Sequence, residues 1–162
     1  MKLIRFLDDH LEEYLLIGSF FVTVTVVFIQ VVARYVFNNS LSWSEEFARY
    51  IFVWQIWLGA AYAAKIDKHI NITVGREKFP QRGQIVLEAL VLVLWIGFAA
   101  FMVIKGREVI EFVIRSKQRT PALRISMAIP YLSVPVGCTL MGFRIVQQFI
   151  KSVPNWKERW AK

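Results

Sequence analysis

Apolar positions along this chain gather in long blocks, with the charges collected between them. From Tyr14 to Ala33, 20 consecutive residues carry no charge, bounded by Glu13 and Arg34. As a helix rising 1.5 Å per residue, the block covers ~30 Å, about the thickness of a bilayer's hydrocarbon core. A cleaved leader fits poorly. The basic start at Lys2 and Arg5 gives way to Asp8, Asp9, Glu12 and Glu13, the apolar run is too long for a signal peptide, and no small-residue cleavage site follows. The pattern predicts a retained span over about 14–33.

The second block, Tyr50 to Ala64, has 15 uncharged residues, short for a span on its own. Ser42-Trp43-Ser44-Glu45 reads as a capping box, serine at the N-cap and glutamate three residues on. It starts the helix near Trp43, places Glu45, Glu46 and Arg49 at headgroup level, and predicts a span over about 45–64. The third block, Gly83 to Ile104, contains a single charge, Glu88, near its start, and predicts a span over 83–104. The fourth, Ile125 to Phe143, has 19 uncharged residues between Arg124 and Arg144; Pro130 and Pro135 are expected to kink it.

Shorter patterns flank the spans. Leu3, Ile4, Phe6, Leu7 and Leu11 form an apolar stripe, and Trp156 and Trp160 sit one helical turn apart among Lys157, Arg159 and Lys162. Lys105 to Arg115 continues the third helix as an amphipathic stretch with Glu111 and Arg115 four apart. Such segments lie in the headgroup plane. The expected fold is therefore an all-α membrane protein, one domain over 1–162. It has four transmembrane helices, with amphipathic interfacial segments at the termini and between helices 3 and 4.

Composition agrees: 56% hydrophobic and 20% charged, against about 45–50% and 25% in soluble domains, which excludes a disordered chain and an ordinary soluble enzyme. The net charge of +8 suits nucleic acid only on a basic face of a soluble fold; here the cations lie between apolar blocks, so no nucleic-acid partner is expected. With four spans, 12 lysines and arginines fall on the side of the termini and 8 on the other, which orients both termini to the cytoplasm.

The search for chemistry is mostly negative. No G-x-S-x-G, H-E-x-x-H or phosphate-binding glycine loop is present. His10 and His69 lie outside the spans, where haem ligands do not belong, and the lone Cys138 serves as a small packing residue. Catalytic, cofactor and metal sites are all expected to be absent. Charges at span ends draw more interest: Arg34, Glu45, Glu46, Arg49 and Glu88. Snorkelling explains Arg34, and a helix N-terminus with a Glu45–Arg49 pair explains the acids; a charged docking surface is the functional alternative. Small residues four apart, Gly59/Ala63, Ala60/Ala64 and Cys138/Gly142, mark close helix contacts. Trp43, Trp54, Trp57 and Trp95 exceed what so small a bundle can hide from lipid, which suggests a second membrane protein over one face.

Several runs resemble the small membrane subunit of TRAP (tripartite ATP-independent periplasmic) transporters, the DctQ-type family. They are Ala33-Arg34-Tyr35-Val36-Phe37, Ser42 to Arg49, Phe52-Val53-Trp54, and Leu58-Gly59-Ala60-Ala61, ending at His69. The second half adds Thr120-Pro121-Ala122-Leu123, Ile129-Pro130, Pro135-Val136-Gly137 and Met141-Gly142-Phe143-Arg144. Arg124-Ile125-Ser126 departs from it, standing where a glycine or proline turn is expected before helix four.

The resemblance implies a bacterial inner-membrane scaffold, in a stable heterodimer with a large multi-span subunit that carries substrate and sodium. A periplasmic binding protein delivers an organic acid such as sialic acid or a C4-dicarboxylate, and no ATP is hydrolysed. At 162 residues the chain looks like the separate form and not the fused one. Arg34, Trp43, Glu45, Glu46, Arg49, Trp54, Gly59, Pro130, Pro135 and Gly137 are the interface or family-signature candidates. Three rivals predict other features: a small multidrug-type exporter needs a glutamate inside the first span, a quinone or haem anchor needs axial ligands, and an intramembrane enzyme needs a nucleophile–base pair.

Overall fold

A computed structural model describes residues 2–66 and 81–160, without the side chains of 2–9, 81, 82, 85, 88 and 151–160. Four long helices carry the chain: α1 (Lys2–Tyr35), α2 (Ser42–Lys65), α3 (Gln81–Arg115) and α4 (Ala128–Trp160). Three of them are long and apolar enough to cross a membrane, through His10–Tyr35, Ala89–Arg115 and Ala128–Ile150. α2, with 24 residues, has the length but carries Glu45, Glu46, Arg49 and Gln55 among its apolar residues.

The helices form an open row, not a closed bundle. α1 packs on α2, α2 on α4, and α4 on α3. The core lies where α2, α3 and α4 meet, at Ala61, Ala64, Ala99, Met141 and Ile145, flanked by Leu92, Trp95 and Ile96. Without a hydrophobic drive between helices in lipid, close approach of backbones does the packing, and alanines and glycines permit it. Gly137 shows the tightest case: a Cβ there would lie 2.4 Å from Trp57 Cβ and 3.1 Å from Trp57's backbone. Of the small pairs expected to pack, Gly142 does meet Ala99, at 3.7 Å from an added Cβ, whereas Gly59 has nothing within 4 Å. α1, at the end of the row, leaves Phe21 and Phe28 72% and 66% exposed.

Several local expectations change. α2 starts at Ser42 with Leu41 as its N-cap and no side-chain cap. Ser44 Oγ instead donates to the Leu41 carbonyl at 2.7 Å, so the capping box is not formed. Glu111 accepts from Arg107 at 2.9 Å, one turn back, and not from Arg115. α4 begins at Ala128 and not at Ile125, which puts Pro130 in its first turn, where the missing N–H removes no helical bond. Only Pro135, of the two prolines expected to kink the span, is interior, and the helix runs on through it.

The turn before α4 exists without glycine. Arg124 adopts φ 54 and Lys117, closing α3, adopts φ 51. Gln118 N–H bonds to Val113 O and Lys117 N–H to Ile114 O, the two bonds of a Schellman ending. Both helical ends of the chain, where the amphipathic stripes were expected, are helical; the side chains of 3–7 and 156–160 lie outside the described set.

Candidate functional site

Two buried carboxylates mark opposite ends of α2's length. At the end facing the α3–α4 connection, Glu46 is 7% exposed on the first turns of α2. Its Oε2 accepts the backbone N–H groups of Ala122 (2.7 Å) and Leu123 (3.0 Å), and its Oε1 accepts Tyr50 O–H at 2.6 Å. The connection itself is a tight hairpin. Thr120 N–H bonds to Ile125 O, Arg124 N–H to Thr120 O, Ile125 N–H to Thr120 Oγ1, and Met127 N–H to Gln118 O. Glu46 therefore supplies the acceptors that a turn folded onto a helix would otherwise lack.

Near this buried joint Arg34, Trp43, Glu45 and Arg49 are exposed, while the other candidates lie deeper. Glu45 accepts from Gln30 Nε2 of α1 at 2.7 Å, in place of the expected Arg49. Arg34, Arg49 and Trp43 are exposed, with Trp43 edge-on to Phe47 at 6.3 Å. Trp54 is half-buried lower on α2. On α4, Pro130 is buried and its carbonyl accepts Ser133 Oγ–H at 2.6 Å; Pro135 backs onto Gly106, and Gly137 onto Trp57. Glu46 and Gly137 thus act inside the chain, while Arg34, Trp43, Glu45, Arg49 and Gly59 remain open to a neighbour.

At the other end lies a cluster that sequence reasoning missed. Glu12 is 1% exposed; its Oε1 accepts Arg144 Nε–H at 2.7 Å, and its Oε2 lies 3.2 Å from Lys65 Nζ. Arg144 also donates to Gln147 Oε1 at 2.8 Å, and Gln148 Nε2 donates to the Lys65 carbonyl. One carboxylate thereby joins α1, α2 and α4. A signal existed: a glutamate, a lysine and an arginine stand at the same ends of three uncharged runs. Midway, Gln55 Nε2 donates to Ser19 Oγ and Thr23 Oγ1, each at 3.2 Å. From Glu46 to Lys65 α2 rises ~28 Å, so the two carboxylate joints stand one hydrocarbon core apart.

Among the described residues no three His, Cys, Asp or Glu side chains converge on a metal-sized site. His10 stacks obliquely on Tyr14 at 6.0 Å, Cys138 is a buried free thiol, and His69 and the Glu88 side chain lie outside the described residues. A depression of about 300 Å³ along α3 is lined by Val91, Leu94, Trp95 and Phe98, an almost wholly apolar wall with no charged group.

Comparison with known proteins gives the arrangement a class. The family model of the DctQ component of tripartite ATP-independent periplasmic transporters matches residues 23–155. The sialic acid TRAP transporter small permease protein SiaQ of Vibrio cholerae serotype O1 is 29% identical over 91% of this chain and 84% of its own length. The C4-dicarboxylate TRAP transporter small permease protein DctQ of Rhodobacter capsulatus is 31% identical over 67% of this chain and 48% of its own. The isethionate TRAP transporter permease protein DctMQ of Oleidesulfovibrio alaskensis is 27% identical over 93% of this chain, which spans only 25% of that relative.

Proposed function

Because the chain belongs to the DctQ component family of tripartite ATP-independent periplasmic transporters, a family of permease subunits and not of enzymes, we propose that it is the small bracing subunit of a sodium-driven importer of organic acids. It sits in the bacterial inner membrane in a stable heterodimer with a large permease subunit, which moves the solute, while a periplasmic binding protein delivers it. The named relatives serve sialic acid, C4-dicarboxylate and isethionate systems, all organic anions. The DctMQ relative, four times as long as the stretch matched, supports a large companion.

All four helices cross the membrane in this proposal. α2 does so with Glu45 and Arg49 at the periplasmic surface, both termini are cytoplasmic, and the amphipathic ends lie on the bilayer surface. The observation that supports the bracing role is the pair of buried carboxylates, one near each end of α2: Glu12 ties α1 to α2 and α4, and Glu46 ties α2 to the turn that leads into α4. A brace must hold its shape while a neighbour moves; a conduit must not be sealed. The rim at Arg34, Trp43, Glu45, Arg49, Trp54 and Gly59 meets the partner.

Reconstitution tests this. Liposomes containing the large subunit, this chain and the binding protein should accumulate acid under an inward sodium gradient, and omission of this chain should abolish uptake. Accumulation by this chain alone, or a haem or quinone retained on purification, would refute the proposal.

A further inference from the structure

The contacts between helices fix their relative heights. Along α2 and α4, Trp57 is level with Gly137 and Lys65 with Arg144. Along α1 and α2, Glu12 is level with Lys65, Ser19 and Thr23 with Gln55, and Gln30 with Glu45. Those three helices therefore share both boundaries of their uncharged stretches. α3 does not. Gly106 stands opposite Pro135, 3.2 Å from an added Cβ, and Ala99 opposite Gly142 at 3.7 Å. In this antiparallel register Lys105 is level with Val136, Arg107 with Val134, Glu108 with Ser133 and Glu111 with Pro130.

The charged half of α3 thus runs beside the uncharged span of α4, and not beyond it as an interfacial continuation. Gly106 turns toward α4, leaving the four charges on the outward arc. Their side chains are 54% (Lys105), 81% (Arg107), 59% (Glu108) and 48% (Glu111) exposed, paired as Lys105–Glu108 at 2.8 Å and Arg107–Glu111 at 2.9 Å. A charge facing lipid near mid-span is costly, and such residues almost always face protein or water. Four of them on one arc do not belong against hydrocarbon, and polar groups at such depth face protein. Phe101, Ile104 and Phe112 are exposed on the same stretch and supply the apolar contacts of a helix–helix seam.

We propose that this arc of α3, at Lys105, Arg107, Glu108 and Glu111, seats a membrane helix of the large permease subunit that presents polar or charged side chains within the bilayer. The inference rests on the heterodimer proposed above and adds to its rim a second seat on α3, with its chemistry: both signs of charge are offered, so the seat sets the register of its partner as well as its affinity.

The test uses the full chain co-expressed with the large permease subunit of its transporter. Benzoylphenylalanine in place of Glu108 should cross-link to the large subunit on illumination, at least tenfold more than the same group in place of Phe21 on α1. The fourfold variant Lys105→Leu, Arg107→Leu, Glu108→Leu, Glu111→Leu should insert and melt as the parent does, yet recover at least tenfold less large subunit. Cross-links at position 108 only to lipid or to a second copy of this chain, or undiminished recovery by a folded fourfold variant, overturn the inference. If the unaltered chain recovers no large subunit at all, the heterodimer itself fails; a normal parent complex with an indifferent arc sinks only the seat. Should the fourfold variant misfold, the cross-link decides.

Discussion

The two buried carboxylates solve one problem in different ways. Glu12 is neutralised by cations, Arg144 at 2.7 Å and Lys65 at 3.2 Å, each from a different helix. Among the described residues Glu46 pairs with no cation, and it is held by two backbone N–H groups and a tyrosine hydroxyl. The first is a joint between helices, and its loss is felt by the whole row. The second is a cap on a turn, and its loss is felt where the turn is. Ion pairing ties distant elements together; dipoles shape a local one.

Removing Glu12 gives the largest effect, because it leaves two cations at a membrane boundary without their carboxylate. Glu12→Ala should destabilise the chain by about 3–5 kcal/mol, read as a fall in melting temperature in detergent. If charge compensation is the cause, the triple change Glu12→Leu, Lys65→Met, Arg144→Met should recover most of the loss, since replacing a buried charged cluster by apolar residues of similar volume is often neutral. A single-variant loss under 1 kcal/mol would erase the difference between the two ends.

Glu46→Gln should cost about 2–3 kcal/mol, since both backbone donors share Oε2 and exchange a charged acceptor for a neutral one, while Tyr50 O–H is left facing an amide nitrogen that cannot accept. Its signature is local. Amide hydrogen exchange at Ala122 and Leu123 should quicken by roughly 30- to 150-fold, while amides of the α2–α4 core stay protected. Exchange that quickens evenly across all four helices would make Glu46 a joint like Glu12.

How much of this was legible follows from the kind of signal each feature leaves. Uncharged runs and their bounding charges located three helices that are apolar enough to span, because lipid leaves a backbone few alternatives. Glu45 and Glu46 were singled out as neighbours, but one faces outward to Gln30 and the other inward to a turn 76 residues away, a distinction no local pattern holds. The turn at Lys117 and Arg124 was hidden for the opposite reason: left-handed backbone usually advertises itself by glycine, and here two basic residues adopt it. The stagger of α3 depends on which residues of two helices touch, and hydropathy along one chain cannot carry that. The family resemblance supplied the partner; composition alone reached only a suspicion of a covered face.

Between the two ends the row is held by shape, and two glycines of α2 and α4 should respond in opposite directions. Gly137→Ala pushes a methyl to within 2.4 Å of Trp57 Cβ. α2 and α4 must separate, at about 1–3 kcal/mol. Gly59→Ala meets nothing within 4 Å in its own chain and should raise stability by up to about 1 kcal/mol through helix propensity. Melting of the two isolated variants compares them directly. A destabilised Gly59→Ala chain would mean that α2 already uses that notch internally.

The smallest effect belongs to the midpoint. Gln55 donates to Ser19 and Thr23 at 3.2 Å, the long end of hydrogen bonding. Neither hydroxyl depends on it, because Ser19 Oγ donates to Leu16 O and Thr23 Oγ1 to Ser19 O. Gln55→Leu therefore removes two weak bonds, strands no donor of the neighbouring helix and gains apolar contact. The expected cost is about 0.6 kcal/mol, the average of interhelical polar contacts in membranes, a shift of a degree or two in melting. A loss above 2 kcal/mol would place a third joint midway along α1 and α2, and the row would then be fastened through its middle as firmly as at its carboxylates.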